Sequence, residues 1–210
     1  MTSTTQPSWA RRNKWGLILL LPALVLALLA ASSRVQLFWW SADIHHPISG
    51  TQGEPLLLSE TVQSPEGTYK RSVELTVQGV GPGQAPTSST GQLTDTPAGA
   101  KWLSIALHIK ADPKAPINVC RVALRDADGR RTDYDPTMLG IGTLPVSPCV
   151  PEDHPGPTGI SKEEQSKAEI AGPRPAEYDI DVPMLVAEDF KADQVLFWLS
   201  PPTYLEISLR

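Results

Sequence analysis

Between Trp15 and Ser33 the chain runs for nineteen residues without a charge, with Arg11, Arg12 and Lys14 before the run and Arg34 after it. A stretch this apolar has to leave water as one unit. At about 1.5 Å of rise per residue a helix of that length is roughly 28 Å long, close to the ~30 Å hydrocarbon core of a bilayer. Its one breaker, Pro22, is tolerated in transmembrane helices better than in soluble ones. The expectation is a transmembrane signal anchor over residues 15–33, with the lipid bilayer as its partner.

Orientation follows from charge. The first fourteen residues carry three basic side chains and no acidic one, and such ends stay in the cytoplasm. Residues 1–14 therefore read as a cytoplasmic tail, and everything after the span as extracytoplasmic at the cell membrane. Trp15 marks one membrane–water interface and Phe38, Trp39 and Trp40 the other, because amphipathic rings collect at headgroup level. A cleaved signal peptide is the competing reading, since Ala30, Ala31 and Ser32 suit a peptidase. It would leave an aromatic cluster at a new N-terminus with no lipid to receive it. A lipoprotein would need a cysteine at the end of the apolar run, and the two cysteines are Cys120 and Cys149. Twin-arginine export is disfavoured because polar Asn13 and Lys14 follow Arg11-Arg12.

The 210 residues leave about 160 beyond the anchor, enough for one domain with its own core. Residues 34–50 read as a juxtamembrane linker and 51–210 as the domain. The net charge of −5 divides into +3 before Trp15 and −8 after it. An acidic ectodomain is poorly suited to nucleic acid, so no nucleic-acid partner is expected. Twenty-one prolines fit an all-β domain with long connections. Two cysteines in an exported chain most simply pair, so a Cys120–Cys149 disulfide is expected over two buried free thiols.

Alternation then places the strands. Val73, Leu75 and Val77 share a face, as do Leu103, Ile105, Leu107 and Ile109, with Ser104, His108 and Lys110 on the reverse. This period of two marks half-buried antiparallel strands. Cys120, Val122 and Leu124 follow, then the Asp128-Gly129 hairpin turn and a short return strand through Thr132 and Tyr134. Tyr178, Ile180 and Val182 alternate with acidic residues, and Gln194–Leu199 and Tyr204–Leu209 close the chain. With Leu56-Leu57-Leu58 this makes seven or eight strands, which predicts an antiparallel two-sheet sandwich. Its core should contain Val73, Leu75, Leu103, Ile105, Leu107, Val122, Leu124, Ile180, Leu205 and Ile207. Gly81–Gly99 reads as a flexible loop. Pro136–Pro175 is longer than an ordinary connection. A capping-box spacing at Ser161–Glu164 predicts a short helix inside it, through Ile170.

The strand Lys101–Lys110 followed by Val122-Ala123-Leu124-Arg125-Asp126-Ala127-Asp128-Gly129 and on to Tyr134 resembles the immunoglobulin-like extracytoplasmic domains of unknown function on bacterial anchored proteins and lipoproteins. The resemblance covers roughly Lys101 to Arg210. It implies an immunoglobulin-like sandwich at the cell surface and brings no catalytic residue with it.

Little in the sequence points to chemistry. Adjacent His45 and His46, beside Asp43, should point apart in an extended segment and make a poor metal chelate. Asp126, Asp128, Asp133 and Asp135 crowd one hairpin but lack the spacing and terminal Glu of a calcium loop. His108 and His154 are tied to no nucleophile and acid by any motif. Trp102 and Trp198 read as core or edge residues. No catalytic residue, metal or cofactor is expected. The expected role is a non-enzymatic interaction or assembly module with a protein partner in the envelope. The alternative is an anchored envelope hydrolase whose active site the sequence does not reveal.

Overall fold

A computed structural model describes residues 9, 13–35, 40, 42–64, 67–86, 95–138, 144–157 and 172–210. The chain divides into two units, Met1–Asp43 and Ile44–Arg210.

In the first unit, helix α1 spans Lys14–Val35 with Pro22 inside it. It is long and apolar enough to cross a membrane, and Leu17, Leu21, Leu24 and Leu28 are exposed. Asn13 and Leu17 continue the hydrogen-bond ladder at its start, to the carbonyls of Trp9 and Asn13. Trp15 and Trp40 are both exposed. Phe38 and Trp39 lie outside the described residues.

The second unit is two sheets. One has the order β1-β9-β8-β5-β6, and the other β2-β3-β4-β7. The strands are β1 His46–Thr51, β2 Leu56–Ser64, β3 Gly67–Pro82, β4 Ala100–Ala111, β5 Arg121–Asp126, β6 Arg131–Asp133, β7 Glu177–Ala187, β8 Ala192–Trp198 and β9 Thr203–Ser208. Their inner faces meet in one core that includes Leu58, Val73, Leu75, Ile105, Leu107, Val122, Leu124, Phe197, Leu205 and Ile207. Burying such alternating faces is the main stabilising term in a sandwich.

Four expectations need correction. First, His46–Thr51 is a strand, so the sandwich begins inside the stretch read as linker 34–50. Its residues are mostly exposed and include Pro47 and Gly50, so no apolar alternation announces it; an edge strand tolerates both. Second, the sheets are not wholly antiparallel. β1 pairs with β9 in parallel, His46 opposite Thr203 through Thr51 opposite Ser208. Parallel neighbours need a crossover, and here the rest of the domain supplies it. Third, β3 continues through Gly81 and Pro82, which were read as loop. A bulge between Val77 and Gly79 inserts one residue, so that Val80 stands opposite Ile105 and returns an apolar side chain to the inner face. Fourth, Leu103 and Ile180 are only partly buried. Ile180 lies on edge strand β7, and Leu103 lines an open cavity.

The central strands of the larger sheet are covered on both faces. Ala123, Leu196, Trp198 and Tyr204 form a second buried cluster, with Ile44 packed against it. That accounts for the unbroken apolar run Val195-Leu196-Phe197-Trp198, which would alternate if one face were wet. The Arg131 guanidinium lies 4.9 Å from the Trp198 ring centre. Trp102 is buried too, donating its indole N–H to Thr96 Oγ1 at 3.1 Å.

Candidate functional site

Residues 144–157 and 172–175 of the long excursion are fastened to the sandwich rather than looped away from it. Cys120 and Cys149 are disulfide-bonded with Cα atoms 6.4 Å apart, and both are buried in the main core. Tyr178 on β7 donates its hydroxyl hydrogen to the Cys149 carbonyl at 2.6 Å, and Tyr134 donates to the Pro145 carbonyl at 2.6 Å. Burial pushes both phenols up, Tyr178 to about 12, so they stay protonated donors. The predicted helix at 161–170 lies outside the described residues.

Arg174 completes the attachment. It is 1% exposed, and its Nη2 donates to the carbonyls of Asp112 at 2.6 Å and Ala115 at 3.1 Å. It grips the turn between β4 and β5 while its own segment returns to β7. Burial lowers its pKa, a shift that Tyr178 and Asp112 partly offset. Gly156 makes this approach possible. Its φ is +73°, and a Cβ there would sit 3.1 Å from both Cβ and Nη1 of Arg174. A side chain at this position would therefore meet backbone strain and the guanidinium together.

A second arginine, absent from the expected core, is also buried. Arg71 is 5% exposed. It ion-pairs with Glu60, its cross-strand partner on β2. It also donates to the Pro116 carbonyl and to Ser200 Oγ, each at 2.8 Å. One guanidinium thus joins β2, β3, the β4–β5 turn and the β8–β9 turn. A signal was available: Arg71 stands two residues before Val73, in the inward phase of β3, and Glu60 stands two after Leu58 on β2. A charge in the core phase needs a partner in the core phase.

The outer face of the smaller sheet carries a ladder of charges. His108 Nδ1 is 2.8 Å from Asp179 Oδ1, and its Nε2 is 3.0 Å from Glu177 Oε1. Lys110 Nζ is 3.6 Å from both Glu74 and Glu177. The hydrogen bond to Asp179 raises the His108 pKa above its ordinary value; desolvation opposes the shift, and Glu177 adds to it. A ring flanked by two carboxylates donates from both nitrogens only as imidazolium. Any stability from this contact is therefore fully present below about pH 6.5 and is lost as pH rises through the higher midpoint of the folded state. The ring resonances of His108 should titrate above 6.5, and Asp179→Asn should move the midpoint down. A wild-type midpoint at or below 6.5 would contradict this arrangement.

The hairpin aspartates do not converge. Asp126 Oδ1 accepts the amide hydrogens of Asp128 at 3.1 Å and Arg130 at 2.8 Å, and Oδ2 accepts from Arg130 Nε at 2.6 Å. Asp133 pairs with Arg131, and Asp135 Oδ1 accepts from the amide and hydroxyl of Thr137. The side chains of His45 and His46 do not point apart as expected. Their ring centres are 4.5 Å apart in an edge-on contact, since the strand starts only at His46. Among the described residues no three His, Cys, Asp or Glu side chains gather to hold a metal ion.

No family model matches the chain, and no curated protein matches it. Among solved structures it is similar to an uncharacterized beta-sandwich protein from Clostridium difficile 630, at 11% identity and a TM-score of 0.37, covering 80% of this chain and 96% of that one.

Proposed function

We infer that this chain is a membrane-anchored module of the cell envelope, N-terminus in the cytoplasm and sandwich outside, which works by binding a protein partner rather than by catalysis. An immunoglobulin-like arrangement fits the strand path. Consecutive strands change sheets between β1 and β2, β4 and β5, β6 and β7, and β7 and β8, as Greek-key connections require. The observation that carries the binding role is the fastening of the excursion. A disulfide, two tyrosine hydroxyls and a buried arginine hold residues 144–157 and 172–175 to the strands. A segment ordered in advance loses less conformational freedom when a partner docks, and long connections on rigid sheets are where recognition concentrates. The disulfide also suits an oxidising compartment outside the cytoplasm.

Replacing residues 158–171 with a Gly/Ser segment of equal length tests the role without touching the fastened residues. The chain should keep its thermal midpoint and lose the partner that the wild-type chain captures from solubilised membranes. An identical capture profile would mean that residues 158–171 take no part in recognition. Release of a product from envelope polymers by the purified chain would favour the hydrolase instead.

A further inference from the structure

Among the described residues two cations occupy core-phase positions in the smaller sheet, and one of them has no anionic partner. Arg71 on β3 is neutralised by Glu60. Lys101 lies on β4 in register with Val186 of β7, in the same phase as Leu103, Ile105 and Leu107, and is half-buried. Among the described residues no carboxylate pairs with Lys101, or with Lys191 just before β8. That is unexpected in a domain whose net charge is −8. Both lysines line one open cavity of about 570 Å³, with Val80, Leu103, Phe190 and Leu209 among its apolar lining. A volume in the range of about 300–1,000 Å³ is usual for small-molecule sites. The cavity lies at the start of β4, whereas the fastened excursion grips the turn beyond its other end, at Asp112.

We propose that this cavity binds a single-chain amphipathic carboxylate. Its hydrocarbon lies along Val80, Leu103, Phe190 and Leu209, and its carboxylate sits between the ammonium groups of Lys101 and Lys191. The apolar lining is the open end of the main core: Val80, Leu103 and Leu209 are partly buried hydrophobics packed against it. A hydrocarbon chain there removes both its own surface and theirs from water. The two ammonium groups then supply charge-assisted hydrogen bonds at the polar end. A neutral hydrocarbon would leave them unused, and a cation would be repelled. The competing explanation is that each lysine stem covers apolar wall while its ammonium stays in water. This site goes beyond the partner-binding role proposed above and does not rest on it.

Octanoate is the probe, titrated calorimetrically into the full chain in lipid nanodiscs against empty nanodiscs. Lys101→Gln with Lys191→Gln keeps most of each stem and removes both charges. Wild type should bind octanoate saturably at one site. The double variant should bind it about five- to tenfold more weakly, since each partly exposed ion pair is of modest strength. Octanol should bind wild type more weakly than octanoate by a similar factor, and the thermal midpoint of the unliganded variant should be unchanged. Equal affinities for octanoate and octanol, equal affinities of wild type and double variant, or no saturable uptake beyond empty nanodiscs would each overturn the proposal.

Discussion

Replacing Glu60 by Leu should destabilise the sandwich by about 3–5 kcal/mol, because it leaves the Arg71 guanidinium charged and buried without its anion. A guanidinium has no neutral form to fall back on in a protein. Its remaining partners, the Pro116 carbonyl and Ser200 Oγ, are neutral acceptors. Removing both charges is a different matter. Glu60→Leu combined with Arg71→Met takes away the ionic pair and its desolvation cost together, and such exchanges in protein interiors are often neutral or stabilising. The double variant should therefore be more stable than Glu60→Leu alone. Urea unfolding of the four chains gives the coupling directly. A double variant as damaged as the sum of the two single ones would mean that Arg71 and Glu60 act independently, contrary to their contact.

Leu107→Ala should cost roughly 3–5 kcal/mol, combining lost burial with the cavity left behind. Leu107 is fully buried at the centre of β4, between Val77 of β3 and Ile180 of β7. Close-packed strands on both sides limit how far the site can collapse, which puts the cost toward the upper end. Leu103→Ala offers the contrast. It is only partly buried at the mouth of the open cavity, so its loss should cost clearly less. The ranking of these two, measured by thermal or urea unfolding, separates core packing from the general effect of shortening a leucine. A cost at Leu103 equal to that at Leu107 would contradict the placement of the core.

The sandwich was largely legible because its central strands obey one simple rule. On β4, Ile105, Leu107 and Ile109 are fully buried while Lys110 is exposed, and the alternation shows this without any partner strand. β1 was not legible, because what makes it a strand is β9, and Ser49 contacts Glu206 across 157 positions of sequence. The bulge at Gln78 was hidden for a related reason. An extra residue changes the phase of one strand against its neighbour, and a single strand read alone has no neighbour. The disulfide followed from the expectation of export and the cysteine count. Which residues would surround it did not, since Tyr178, Arg174 and Gly156 come from separate segments. Arg71 and Lys101 mark the boundary most clearly. Their core phase can be read from sequence spacing, whereas Glu60 opposite one and an open cavity beside the other are facts of three-dimensional arrangement.

The most direct test of an anchored module standing outside the cytoplasm is one intact-mass measurement. The chain is extracted from cell membranes with its free thiols alkylated and no reductant present. The account predicts a species that retains the residues before Trp15 and carries no alkyl group on Cys120 or Cys149. A species beginning near Ser33, or one with both cysteines alkylated, would contradict it.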